Sequence, residues 1–136
     1  MRQTMRTARH DPVLGLDAYC LRGLERPFPS HFHGHYVIGV VERGTRTLTC
    51  GRRREAIGPG DVLLLNPGDS HGCVREDGAL DYRGLNISRD TMRSLAEEIM
   101  GLRILPDFTR PVVRDRELAC RLRDLHRAVL EDGSPL

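Results

Sequence analysis

Hydrophobic residues between positions 13 and 87 fall into short runs separated by turn residues, and this spacing predicts β-strands. The run at 35–41, HYVIGVV, is rich in β-branched residues and leads into a glycine turn at Gly44. The run at 61–65, DVLLL, lies between Gly-Pro-Gly and Asn-Pro-Gly turns, which favours a strand buried on both faces. Further runs occur at 13–21, 45–50 and 80–87. Many short strands at close spacing indicate a sandwich or a barrel.

After residue 88 the pattern changes from strands to helices. Apolar residues recur every three or four positions between residues 92 and 99, with Ser88 or Asp90 as the N-cap and Gly101 as the stop. A second helix is expected after the N-cap Asp115, and it ends before Gly133. The expected class is therefore mainly β, a barrel followed by two C-terminal helices.

The two parts of the chain have different expected roles. Residues 1–88 form the barrel, and the polar residues 1–11 are expected to be a frayed N-terminal arm. Residues 89–136 form a helical extension whose second helix carries an apolar stripe that can pack on the barrel. The stripe consists of Leu118, Leu122, Leu125 and Val129.

The composition adds limits rather than a function. A chain of 136 residues is a single domain by default, and its formal net charge of +2 is too small to argue for a nucleic-acid surface. Its N-terminus lacks the apolar segment of a signal peptide, and no apolar stretch is long enough to span a membrane. The four cysteines are scattered and form no Cys-x-x-Cys pair, which predicts reduced thiols and a cytoplasmic protein.

Histidines carry the candidate chemistry. His31, His33 and His35 alternate, so on a strand they share one face, and His71 follows the Asn-Pro-Gly turn. Imidazole binds zinc, nickel and iron, so His31, His33 and His71 are candidate metal ligands. The same side chains can instead hydrogen-bond a polar ligand, or simply be barrel residues. His35 is expected in the pocket or at its rim.

The remaining histidines and two arginines complete the list of candidates. His10 and His126 are expected on the surface. Arg46 shares a strand face with a leucine two positions on, so it is a candidate for lining the pocket. Arg83 falls in a predicted strand, where a buried guanidinium needs an anionic partner. That partner is either a ligand carboxylate or one of the nearby aspartates Asp61 and Asp81.

Taken together, the two histidine-bearing stretches resemble the cupin superfamily. The cupin pattern has a His-x-His pair and a closing glycine, then a second stretch with glycine, proline and a last histidine. The matching residues are His31, His33, Gly44, Gly60, Pro67 and His71. Where a metal-binding cupin has a glutamate, this chain has Val37, which removes the anionic ligand.

Within the cupins, the chain is most similar to the N-terminal effector-binding domain of AraC-type transcriptional regulators. The similarity lies in the strand at 31–41, the Gly-Pro-Gly-Asp turn at 58–61, the Tyr82-Arg83 pair and the helical segment at 108–126, and it covers roughly residues 28–130. The resemblance implies a jelly-roll barrel that binds a small-molecule effector. The residues expected to line its site are His31, His33, His35, Val37, Arg46, His71 and Arg83.

The resemblance also implies partners. Helices of this kind form the dimer interface in AraC-type regulators, which assigns homodimerisation to Leu118, Leu122, Leu125 and Val129. DNA binding belongs to a helix-turn-helix domain expected downstream and absent from this chain, so the chain is expected to be one domain of a longer regulator.

Two other functions are compatible with the sequence. A metal-dependent cupin enzyme, such as a three-histidine dioxygenase or an isomerase, would hold zinc, nickel or iron on His31, His33 and His71. A barrel used only as a dimerisation module is the third possibility. The sensor is the preferred hypothesis, because of Val37 and the helical extension, and it assigns no catalytic residue.

Overall fold

The computed structural model describes residues 5–24, 31–32, 34–74 and 79–132. Its elements follow one another as β1 Met5–Asp11, β2 Leu16–Leu24, β3 His31–Phe32, β4 Tyr36–Arg43, β5 Arg46–Cys50, β6 Arg53–Ile57, β7 Val62–Leu65, β8 Ser70–Val74, β9 Leu80–Ile87, α1 Arg89–Met100, β10 Val112–Val113, α2 Arg116–Arg127 and a π-helical turn Ala128–Asp132.

The strands form two antiparallel sheets. The larger has the order β1-β2-β9-β4-β7-β10 and the smaller the order β3-β8-β5-β6. A hydrophobic cluster joins them, with Leu48 and Ile57 from the smaller sheet against Val41, Leu63 and Tyr82 from the larger. We call the sheet faces that carry these residues the inner face, and the opposite faces the outer face. The predicted class, a barrel followed by two helices, is confirmed.

Both helices cover the outer face of the larger sheet. Ser88 caps α1 by accepting from the Thr91 amide, and Gly101 ends it in the left-handed conformation at φ 74°. Asp115 caps α2 by accepting from the Leu118 amide, so the three predicted helix signals are confirmed. Neither described helix is long and apolar enough to cross a membrane.

The apolar stripe of the second helix is part of the core. Val129 is fully buried, and with Leu122 and Leu125 it packs in the cluster that contains Tyr36 and Leu85 of the sheet. Leu118 packs in a neighbouring cluster around Val40 and Val62. The four residues assigned to dimerisation therefore pack on the barrel, Val129 fully buried and the three leucines partly buried, because both the sheet and the helix have hydrophobic area to cover.

Two strands differ from the sequence analysis. Residues 5–11, expected to be frayed, form β1, which pairs with β2 from Met5 opposite Arg22 to Asp11 opposite Leu16. Polar side chains do not prevent pairing, because the ladder is made by backbone groups. The short strand β10 pairs with β7 at Leu63 and Val62, and two residues are too few to give a sequence pattern.

Candidate functional site

Three adjacent strands align two of the three predicted histidines with a cysteine. His31 on β3 is the direct partner of His71 on β8, and His71 is the direct partner of Cys50 on β5. Directly opposite positions in antiparallel strands share a sheet face. Arg46 and Leu48 precede Cys50 in the same alternation and are buried towards the barrel, so Cys50 lies on the inner face. His33 lies outside the described residues.

Val37 lies on the inner face of the larger sheet. It is 3% exposed, its partners across the strands are Leu65 and Asn86, and it alternates with the interior residue Val41. The aliphatic side chain occupies the place where a metal-binding cupin would supply a carboxylate. This end of the barrel therefore presents a hydrophobic wall at Val37 and a polar group at Asn86.

A polar cleft of about 280 Å³ opens at this end of the barrel. Asn86 and Asp17 are direct partners on β9 and β2, and His35 reaches the cleft from the residue before β4. Its walls combine imidazole, amide, carboxylate and hydroxyl groups, which can hydrogen-bond a small polar molecule. The cleft is lined by His10, Gly15, Leu16, Asp17, His35, Asn86, Ser88 and Thr91.

Two glycines and two tyrosines form the middle of the inner face. Gly39 and Gly84 are direct partners on β4 and β9. A Cβ at Gly39 would overlap the hydroxyl end of Tyr82, and one at Gly84 would overlap the ring of Tyr19. The rings lie 6.2 Å apart, centroid to centroid. The sequence analysis missed this arrangement, although a glycine inside a strand pattern signals a close approach of other atoms to the backbone.

Arg46 is inside the barrel but distant from the histidine row. It is 2% exposed and its direct partner is Ile57, a member of the interior cluster. It lies four residues from Cys50 on the same strand, which corresponds to roughly 13 Å. The structure therefore supports the expected inward position of Arg46 but does not bring it beside His71.

Arg83 lies on the outer face, under α2, rather than in the barrel interior. Its Nε donates to Glu42 at 2.8 Å, and Arg123 of α2 donates to the same carboxylate at 2.8 and 3.1 Å. The hydrogen bond to Glu42 raises the pKa of Arg123. The partner of Arg83 is thus neither Asp61 nor Asp81, and this ion-pair cluster fastens the second helix to the sheet.

His126, expected on the surface, is 2% exposed and belongs to the same cluster. Its Nε2–H donates to the carbonyl of Tyr19 at 2.7 Å, and its Nδ1 accepts from Arg83 at 3.3 Å. Burial lowers its pKa below 6.5, the Tyr19 carbonyl opposes that shift, and the Arg83 charge adds to it. A signal was present in the sequence: His126 is four residues after Leu122 and three before Val129, at the edge of the apolar stripe.

The lowered pKa of His126 makes stability depend on pH. Between the folded-state pKa of His126 and about pH 6.5, the unfolded chain binds more protons than the folded chain. The stability that neutral His126 contributes is therefore complete above about pH 6.5 and is lost as the pH falls below it. Urea unfolding at pH 7.5 and 5.5 is expected to show a smaller free energy of unfolding at pH 5.5. His126→Gln keeps an amide donor for the Tyr19 carbonyl but cannot be protonated, so it should reduce this difference. The exposed variant Arg121→Gln should keep the wild-type difference, and an unchanged difference in His126→Gln would contradict the assignment.

Cys50 is a free, half-buried thiol at the end of the histidine row. Burial raises its pKa, the carboxylate of Asp69 raises it further, and Arg53 opposes both. Cys20 and Cys120 are free as well. Among the side chains that the structure describes, no three His, Cys, Asp or Glu residues come together as a metal-binding set.

Comparison with known proteins identifies relatives of the whole chain. Residues 14–136 match the AraC-like ligand-binding domain family. An uncharacterised HTH-type transcriptional regulator of Bacillus subtilis (strain 168), YbfI, is 42% identical over 137 residues. That alignment covers 100% of this chain and 50% of YbfI, so the chain spans half the length of this curated relative.

Solved structures share the fold. A cupin-like protein of Thermotoga maritima MSB8 superimposes with a TM-score of 0.57 at 18% identity, over 67% of this chain and 73% of that protein. KdgF of Halomonas sp. gives a TM-score of 0.52 at 24% identity, over 67% of this chain and 91% of that protein. At this level of identity the likeness establishes the cupin barrel and no activity.

Proposed function

Because this chain belongs to the AraC-like ligand-binding domain family, we propose that it is an effector-sensing domain whose barrel binds a small polar molecule. The observation that carries the proposal is the strand register, in which His31 of β3 and His71 of β8 are direct backbone partners. The cleft that His35, Asp17 and Asn86 line lies beside Val37, the direct partner of Asn86. We propose that His33 and Val37 belong to the same binding site, with Arg46 further inside.

The chemistry of the cleft suggests the class of effector. Imidazole, amide, hydroxyl and carboxylate groups surround about 280 Å³, which suits a polyhydroxylated or hydroxy-acid compound of sugar size. Binding such a compound regulates only if it favours one arrangement of the domain over another. The ion pairs of Glu42 with Arg83 of β9 and Arg123 of α2 link the sheet to α2, so a change in the sheet on binding can reposition this helix.

The test measures thermal unfolding in the presence of glucose, galactose, gluconate, citrate and 2-oxoglutarate, each at about 10 mM. A bound effector at 100 times its Kd stabilises by about 2.7 kcal/mol, so at least one compound should raise Tm by several degrees. Asn86→Leu removes hydrogen bonds at the cleft and should at least halve that rise, whereas Thr109→Val, on an exposed loop, should not change it. If no compound raises Tm by more than about 1 °C, the proposal fails.

We further propose that the domain works as a homodimer that places two DNA-binding domains on DNA. The relative YbfI is described as an HTH-type regulator, and helix-turn-helix proteins commonly bind two half-sites as dimers. The stripe of α2 packs on the sheet, with Val129 fully buried and Leu118, Leu122 and Leu125 partly buried. An exposed apolar surface continues from α1 into the following loop and is the better candidate for contact with a second copy. It consists of Leu95, Ile99, Met100, Leu102, Ile104 and Leu105.

A charge in that surface should separate the copies without unfolding them. Ile99 is 80% exposed, so Ile99→Asp costs little in the monomer but places two carboxylates in the proposed interface. Light scattering after gel filtration is expected to give a dimer for the wild type and a monomer for Ile99→Asp, with unchanged far-UV circular dichroism. Arg121→Gln, on the exposed side of α2, should remain dimeric. A dimer that withstands Ile99→Asp would exclude this surface.

A further inference from the structure

An apolar groove of about 300 Å³ lies between the two helices and the outer face of the larger sheet. Its floor consists of Ile38, Leu85 and Ile87 from the sheet, and Ala96 of α1 and Leu125 of α2 form its sides. All the described side chains that line it are apolar, so water in the groove has few hydrogen-bonding partners. Apolar atoms that displace such water gain free energy.

Hydrogen bonds to the sheet hold the loop after α1 in place beside this groove. The Tyr36 hydroxyl donates to the carbonyl of Pro106 at 2.5 Å. The side chain of Asn66 donates to the carbonyl of Phe108 at 2.9 Å and accepts from its amide at 2.7 Å. Pro106 and Phe108 both line the groove, so these bonds fix one of its walls. A groove that is already formed loses little conformational freedom when it is filled.

An exposed apolar loop adjoins the groove on the same face of the molecule. It consists of Leu102, Ile104 and Leu105, which are 60%, 44% and 40% exposed and lie outside the groove. In a two-fold dimer each copy supplies the same surface, so a groove and an apolar loop on one face can fit their counterparts on a second copy. A small apolar molecule would fill the groove but leave the loop in water, whereas a second copy covers both.

The charges next to this face are of both signs. Arg103 of the loop lies 4.0 Å from Glu97 of α1, and Arg93 pairs with Asp90 at 2.9 Å. A face that carried charges of one sign would repel its own copy, and this face does not.

We propose that the groove of one copy receives the apolar loop of a second copy, and that the second copy's groove receives the loop of the first. This inference rests on the homodimer proposed above and adds which parts of the two copies meet. It gives the exposed side chains of Ile99 and Met100 at the mouth of the groove an apolar neighbour.

Two variants of the full chain, studied by sedimentation velocity over a dilution series, test this arrangement. The groove variant, Ala96→Met, fills the groove from its wall, and the loop variant carries Ile104→Ser with Leu105→Ser. Each should weaken the dimer by at least about 10-fold, because two-fold symmetry removes both contacts at once. Val13→Ser, which removes a 71% exposed apolar side chain from the turn between β1 and β2, should not.

Mixing the two variants tests reciprocity. Their heterodimer keeps one intact contact, the loop of the groove variant in the groove of the loop variant. Native mass spectrometry of a mixture with one variant labelled with ¹⁵N should therefore show a heterodimer tighter than both homodimers. Thermal unfolding checks that both variants are folded. If Ala96→Met lost its cooperative transition, the loop variant, with both changes on exposed residues, would decide alone.

The arrangement is wrong if the loop variant dimerises as tightly as the wild type, or if mixing folded variants yields no tighter heterodimer. Either result together with a dimer that Ile99→Asp dissociates rejects this arrangement and keeps the homodimer. A wild type that stays monomeric at every concentration rejects both. If that monomer bound 1-anilinonaphthalene-8-sulfonate and Ala96→Met did not, an apolar small molecule would take the place of the second copy. None of these readouts involves the effector, so the compound panel succeeds or fails independently.

Discussion

Replacing Val129 by aspartate is expected to unfold the domain. Val129 lies in the π-helical turn after α2 and is fully buried, at 0% solvent exposure, against the sheet. An unpaired carboxylate there would cost about 4–5 kcal/mol or more, a large part of the 5–15 kcal/mol that stabilises a typical domain. Far-UV circular dichroism and thermal unfolding would show the loss of cooperative structure.

The comparison with Ile99→Asp separates core from interface. Both variants place a carboxylate on an aliphatic position of the helical extension, but Ile99 is 80% exposed and its variant should keep the cooperative transition. If Val129→Asp gave instead a folded monomer with wild-type Tm, the apolar stripe of α2 would be an interface between copies, and its assignment to the core would be wrong.

Alanine at Gly39 is expected to disrupt the inner face. The added Cβ would overlap the end of the Tyr82 ring, and Tyr82 is packed in the interior cluster with Val41 and Leu63. Overpacking of this kind costs about 1–3 kcal/mol and sometimes more, so urea unfolding should report a loss in this range. Displacing the Tyr82 ring also changes the inner face of the barrel, so the rise in Tm that the bound compound produces should become smaller.

A matched glycine serves as the control. A Cβ at Gly58 would meet Thr45 Cγ2 at 3.6 Å, an ordinary contact, so Gly58→Ala should leave stability nearly unchanged. Adding Tyr82→Leu to Gly39→Ala removes the ring that the new methyl overlaps and should make the two substitutions less costly together than their sum. Full additivity would mean that Gly39 and Tyr82 do not compete for the same space.

The fold was predictable because its signals are local. Alternating and continuous apolar runs specify strands, and the caps Ser88 and Asp115 with the stop Gly101 specify both helices. The resemblance to the effector-binding domain of AraC-type regulators is confirmed by the family match over residues 14–136. These signals need no knowledge of which elements meet in space.

The errors arose where partners come from distant parts of the chain. Arg83 was expected in the pocket and His126 on the surface. The two residues are 43 positions apart in the sequence, and they meet where α2 packs on the sheet. The strand pattern did not show whether Arg83 points into the barrel or away from it, because the strand register decides which face a residue occupies. The alignment of Cys50 with His71 likewise depends on pairing between β5 and β8, which no spacing in the sequence reveals.

The central claim is that the barrel binds a small polar molecule and does not transform it. Ligand-observed NMR on the compound that raises Tm most tests both parts in one sample, through saturation transfer from the protein and through the compound's own spectrum over a day. The account predicts saturation transfer that Asn86→Leu weakens, with the compound recovered unchanged. New product resonances in the wild-type sample would contradict it in favour of an enzyme, and absence of saturation transfer would contradict binding.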